Sequence, residues 1–87
     1  MSLLDAIRVL VVDDERAMLD ALTDLLSSEG ADARGVLTSA EALIALASRE
    51  PHVMVVDIEL PDEDGFALLA RARAQGTKIP AIAITAH

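Results

Sequence analysis

Cysteine is absent from this 87-residue chain, which excludes disulfides, thiolate metal sites and cysteine nucleophiles. Tryptophan and tyrosine are absent too, and Phe66 is the one aromatic residue, so the hydrophobic content is carried by Ala, Leu, Val and Ile and suits a small aliphatic core. Basic residues are scarce: Lys and Arg number 7 against 15 Asp and Glu, and Lys78 is the single lysine. The net charge of −8 and pI near 4.4 disfavour direct binding to nucleic acid or to an anionic membrane, because those partners need clustered cations. Cations are the better-matched ligands. No apolar run approaches the ~18 residues of a membrane span, and no basic-then-apolar leader opens the chain. Cytoplasm is therefore the expected compartment.

What is present is aliphatic. Hydrophobic residues make up 53% of the chain, enough to argue for a folded domain rather than disorder. A chain this short forms one domain at most and buries only roughly 60–65% of its unfolded surface. Ile7–Val12 is an apolar run broken only by Arg8, the pattern of a strand covered on both faces. Glu15 to Glu29 reads as a helix with Met18, Leu22, Leu25 and Leu26 on its buried face, ended by Gly30. Ala31–Val36, diluted by Asp32, Arg34 and Gly35, reads as an edge strand. Thr38 and Glu41 have capping-box spacing and open a helix to about Arg49, which Pro51 closes. Val53–Val56 is a third, fully apolar strand. A turn follows it, ending in Asp62, Glu63, Asp64 and Gly65 and expected to be mobile; a helix then runs from about Gly65 to Gln75. Gly76 stops that helix, and Ile79–Ile84 is a fourth strand with Pro80 near its start.

Strand and helix alternate throughout, and the connections are long enough for right-handed crossovers. An α/β fold with a doubly wound parallel sheet is the expected result. Ligands of such sheets bind beyond the carboxyl ends of the strands. Asp13, Asp14, Asp57 and Thr85 all fall at such ends.

Three carboxylates at the ends of two buried strands form a candidate Mg2+ site. This hard cation takes oxygen ligands and is commonly held by one or two carboxylates with waters and a phosphate. Asp14 and Asp57 supply that number with Asp13 in support, and the main-chain carbonyl of Glu59 is a further candidate ligand. Asp57 stands alone at its strand end and is the candidate nucleophile for phosphoryl transfer. Thr85, ending the fourth strand, would direct its hydroxyl at a phosphate on Asp57.

The segments Val9-Leu10-Val11-Val12-Asp13-Asp14-Glu15, Val55-Val56-Asp57-Ile58-Glu59-Leu60-Pro61-Asp62-Glu63-Asp64-Gly65 and Ile82-Ala83-Ile84-Thr85-Ala86-His87 together resemble the receiver domain of two-component response regulators. Their spacing matches that family over nearly the whole chain. The resemblance implies a flavodoxin-like sheet of strand order 2-1-3-4. It implies a phosphorelay signalling module rather than a turnover enzyme, with Asp57 as the phosphoacceptor that takes a phosphoryl group from a histidine kinase or phosphotransfer protein. Asp13 and Asp14 would form the Mg2+ pocket and Thr85 would be the switch hydroxyl. Glu59 and His87 match positions that tune dephosphorylation, and a downstream output domain is the implied partner.

The sequence departs from the family in one large respect. It stops at His87, so residues 1–87 correspond to the N-terminal portion of a receiver, with the usual fifth strand and last two helices absent. The family's phosphate-binding lysine then has no counterpart, since Lys78 begins the fourth strand, about 20 Å from the pocket at ~3.3 Å per residue. An uncovered sheet face and an open fourth strand are the expected consequences, with self-association as a dimer following from them. A truncated receiver fragment that no longer switches and acts as an association module is therefore the second reading. A small Mg2+-dependent phosphatase is the third, disfavoured because Glu59 stands where that chemistry commonly has a second Asp.

Overall fold

Parallel pairing joins every neighbouring pair of strands in this chain. The computed structural model describes residues 4–85, and its elements are β1 (Arg8–Val12), α1 (Arg16–Ser28), β2 (Asp32–Val36), α2 (Ser39–Ser48), β3 (Val53–Asp57), α3 (Gly65–Ala74) and β4 (Ala81–Ile84). The sheet order is β2-β1-β3-β4, as the resemblance implied, with β1 and β3 inside and the half-polar β2 at an edge. The register pairs Val12 with Val36 on one side and with Val56 on the other, so the carboxyl ends of the inner strands lie side by side.

Alternation along β1 divides the core into two layers, because successive strand residues face opposite sides. Leu10 and Val12 join Met54, Val56, Leu68, Ala72 and the α2 residues Ala42, Ala45 and Leu46 on one face. Val9 and Val11 meet Leu19, Leu22 and Leu26 of α1 on the other. A fully buried leucine such as Leu68 contributes roughly 1.5–3 kcal/mol relative to an exposed one.

The buried stripe of α1 differs from expectation. Leu25 is 61% exposed, whereas Leu19 is 4% exposed and leads a stripe that continues through Leu22 and Leu26 at helical spacing. Gly35 on β2 makes room for this stripe: a Cβ there would lie 2.8 Å from Leu19 Cγ, so the missing side chain leaves the space into which Leu19 packs.

Helix ends follow local chemistry. Thr38 caps α2 by accepting from the Glu41 N–H at 3.1 Å, and Asp64 caps α3 by accepting from the Ala67 N–H at 2.7 Å. Gly30 and Gly76 adopt φ of 93° and 96° after α1 and α3. In both cases the next residue donates back to the helix, Ala31 to Leu26 O and Thr77 to Ala72 O, giving two Schellman motifs. β4 is shorter than the predicted Ile79–Ile84: Pro80 has no N–H to give the ladder, although its carbonyl accepts from Met54 N at 3.0 Å. β4 forms the second edge. Ile82, the register partner of Val55, is 56% exposed there.

Candidate functional site

The site is built by the ends of β1 and β3. Asp13 directly follows Val12 and stays in the ladder through its N–H, which donates to Val36 O at 3.1 Å, while Asp57 is the last residue of β3. Because Val12 and Val56 are register partners, the next residue on each strand is an aspartate beside an aspartate. Asp14 starts the turn into α1. One carboxylate oxygen from each of Asp13, Asp14 and Asp57 lies within 4.8 Å of the others, the grouping expected for the cation pocket.

Burial differs sharply within the trio. Asp13 is 0% and Asp57 2% exposed, whereas Asp14 faces solvent and opens the cluster to water. Asp13 Oδ1 accepts from the Glu15 N–H at 2.9 Å, and Asp57 Oδ1 accepts from the Glu59 N–H at 3.0 Å. These two-residue-ahead bonds fix the rotation of each carboxylate. Asp13 Oδ2, by contrast, is buried with no hydrogen-bond partner among the described residues, and an unsatisfied buried acceptor costs about 1–3 kcal/mol or more if charged. Burial raises the Asp13 pKa above its ordinary value; the Glu15 N–H pulls it down, and the charges of Asp57 and Asp14 push it up again. An all-oxygen donor set, crowded charge and an orphaned buried oxygen together fit a hard divalent cation such as Mg2+.

The remaining predicted residues are placed unevenly. Thr85 follows Ile84, the register partner of Asp57, so it lies at the same edge of the sheet and is exposed. Glu59 offers its N–H to Asp57 and forms an antiparallel bridge with Asp64. His87 lies outside the described residues. Lys78 sits at the opposite edge, where it lines an open cleft with Arg8, His52 and Pro80.

The turn after Asp57, expected from sequence to be mobile, makes several hydrogen bonds to its surroundings. Asp62 reaches α2, where Oδ1 accepts from Ser39 N at 3.1 Å and Oδ2 accepts from Ser39 Oγ at 2.7 Å and from Ala40 N at 3.1 Å. Arg71 donates to Glu63 at 2.6 Å, and the Gly65 N–H donates to Ile58 O at 2.6 Å. Gly65 is required by proximity: a Cβ there would lie 2.5 Å from the Asp57 carbonyl oxygen. Sequence reasoning missed the Asp62 contacts. The one available signal was an acid in a loop and a distant helix start with free N–H groups, a weak cue across 22 residues.

A family model described as the response regulator receiver domain matches residues 9–87. The chain belongs to this receiver family. An uncharacterised 14.6 kDa protein of Leptolyngbya boryana is 38% identical over all of this receiver and 68% of its own length. The response regulator MprA of Mycobacterium tuberculosis is 35% identical over 94% of the chain, which spans only 36% of MprA. Among solved structures, a CheY-like receiver domain from Methylobacillus flagellatus superposes with a TM-score of 0.86 at 28% identity, covering 97% of this receiver and 71% of that chain. NtrX from Brucella abortus gives 0.87 at 36% identity, over 94% of this receiver and 19% of that chain. Receivers are modules of two-component signalling, and the acids at the ends of β1 and β3 lie within the matched region.

Proposed function

We propose that this receiver accepts a phosphoryl group on Asp57 from a phosphohistidine of a histidine kinase or phosphotransfer protein, and that the modification alters a protein-binding surface read by an output domain. The observation that carries this reading is the buried Asp57 carboxylate, held by the Glu59 N–H within 4.8 Å of Asp13 and Asp14. A carboxylate oxygen of Asp57 forms the new O–P bond as the donor's N–P bond breaks, and the departing imidazole takes up a proton. Asp13, Asp14, Asp57 and the Glu59 carbonyl would hold Mg2+, which when bound offsets the charge of the incoming phosphate. Asp13 and Asp57 orient their carboxylates through the Glu15 and Glu59 N–H groups before any donor arrives. Thr85, at the same edge, supplies the switch hydroxyl, and His87 with the Glu59 side chain tunes loss of the phosphate. This role places the domain in the cytoplasm.

The test is capture of beryllofluoride in the presence of Mg2+, followed by fluorine NMR. Saturable binding that disappears in Asp57→Asn is expected; absence of binding, or equal binding by Asp57→Asn, overturns the phosphoacceptor role. A second reading, an association module that does not switch, draws on the exposed Ile82 and the outer edge of β4. Light scattering after size-exclusion chromatography separates the two. A concentration-dependent dimer unaffected by beryllofluoride favours the second reading, and a monomer at high concentration removes it.

A further inference from the structure

Asp62 receives three hydrogen bonds from a helix that is remote in sequence, which is more than its position in an exposed turn requires. Ser39 N, Ser39 Oγ and Ala40 N all donate to its carboxylate, and Ser39 is only 1% exposed. Local capping of α2 is already supplied by Thr38, which takes the Glu41 N–H. Two elements therefore divide the free N–H groups of this helix start: Thr38 from its own strand of chain, Asp62 from the turn that follows Asp57.

The other end of that turn is fastened to the acidic site. The Glu59 N–H donates to Asp57 Oδ1, and Glu59 and Asp64 bridge one another, closing the segment whose tip carries Asp62. Gly65, at the far end of the segment, packs closely on the Asp57 carbonyl and donates its N–H to Ile58 O, so both ends of the segment lie against the end of β3. One short backbone segment is thus hydrogen-bonded to Asp57 at Glu59 and to α2 at Asp62, with the Glu59–Asp64 bridge closing it at the base.

We propose that Asp62 is a positioning residue that couples the Asp57 site to the amino end of α2, so that loading the site displaces that helix start and the helix start in turn sets the site's affinity. This rests on the phosphoacceptor reading of Asp57. Reciprocity is required thermodynamically: whatever the loaded site does to α2, restraint of α2 does to loading. The same donors hold the Asp62 carboxyl down to about 2, Ser39 Oγ and Ser39 N contributing most, so the link is ionised throughout the physiological range.

Amide NMR of the chain, titrated with Mg2+ and then beryllofluoride, tests the coupling. In the parent, the Ser39 and Ala40 amides shift together with that of Glu59. In Asp62→Ala the Glu59 response persists, the Ser39 and Ala40 responses fall about fivefold, and beryllofluoride binds about fivefold more weakly, at the lower end of ordinary coupling. Ser39→Ala removes one of the three bonds without changing charge and gives an intermediate loss, which separates geometry from the missing negative charge. Thr38→Ala lowers stability through the same helix end but leaves the Ser39 and Ala40 responses intact, which a purely structural role for Asp62 does not predict. Silent Ser39 and Ala40 amides in a parent whose Glu59 responds, or undiminished responses in Asp62→Ala, overturn the coupling alone. If no amide near Asp57 responds in the parent, the phosphoacceptor reading fails and the coupling falls with it.

Discussion

Replacing Asp13 with asparagine should stabilise the domain while removing its response to Mg2+. The acids' oxygens lie within 4.8 Å of one another, and two unit charges at that limiting separation repel by about 3.5 kcal/mol at an effective dielectric of about 20. Asp14 is exposed and admits water to one side of the cluster, so roughly half that or less, about 1–2 kcal/mol, is the realistic gain. Asparagine keeps an Oδ1 acceptor for the Glu15 N–H, and its amide places a donor where Asp13 Oδ2 now lacks a partner. At about 4–8 °C per kcal/mol for a domain of this size, the variant's Tm without divalent cations should rise by roughly 4–16 °C. The parent should recover a comparable amount from Mg2+: a ligand at ten times its dissociation constant adds about 1.4 kcal/mol. Circular dichroism melts at pH 7 and low salt, with and without Mg2+, give the four Tm values needed. A variant less stable than the parent without Mg2+, or equal Mg2+ shifts in both, would refute the charge-crowding account of this pocket.

Two further outcomes follow from local geometry. Gly65→Ala drives a methyl group into the Asp57 carbonyl oxygen and should cost about 1–3 kcal/mol of overpacking, read as a fall in urea midpoint with a weakened Mg2+ shift; an unchanged midpoint counts against the close approach. Asp62 has a folded pKa near 2, below its ordinary 3.8, so its stabilisation is fully present above 3.8 and is lost as pH falls through about 2. Parent and Asp62→Asn melts should therefore differ most above pH 4 and converge toward pH 2, and a gap that persists at pH 2 contradicts the assignment.

The fold was readable because its signals are local. Apolar runs ending at Val12 and Val56 mark strands buried on both faces, and Asp13 and Asp57 sit where those runs stop. Gly30 and Gly76 mark helix ends through left-handed backbone that other residues resist. The α1 face was harder to read. Its leucines and Met18 permit two overlapping stripes, and tertiary packing chooses between them: Leu19 meets Val9, Val11 and the space left by Gly35 on β2. The Asp62 link was hidden for the same reason, since hydrogen bonds across 22 and 23 residues leave no periodic trace. Thr85 is intermediate: its place at the edge follows from register, but the direction of its hydroxyl does not.

Parallel strands give this small domain an electrical polarity. Every strand ends at the same rim, and α1, α2 and α3 each begin just beyond it, so three backbone dipoles present their positive ends there. Part of the repulsion among the rim's aspartates is thereby cancelled by peptide groups rather than by basic side chains. An anion arriving at that rim meets a field less hostile than a tally of its acids suggests.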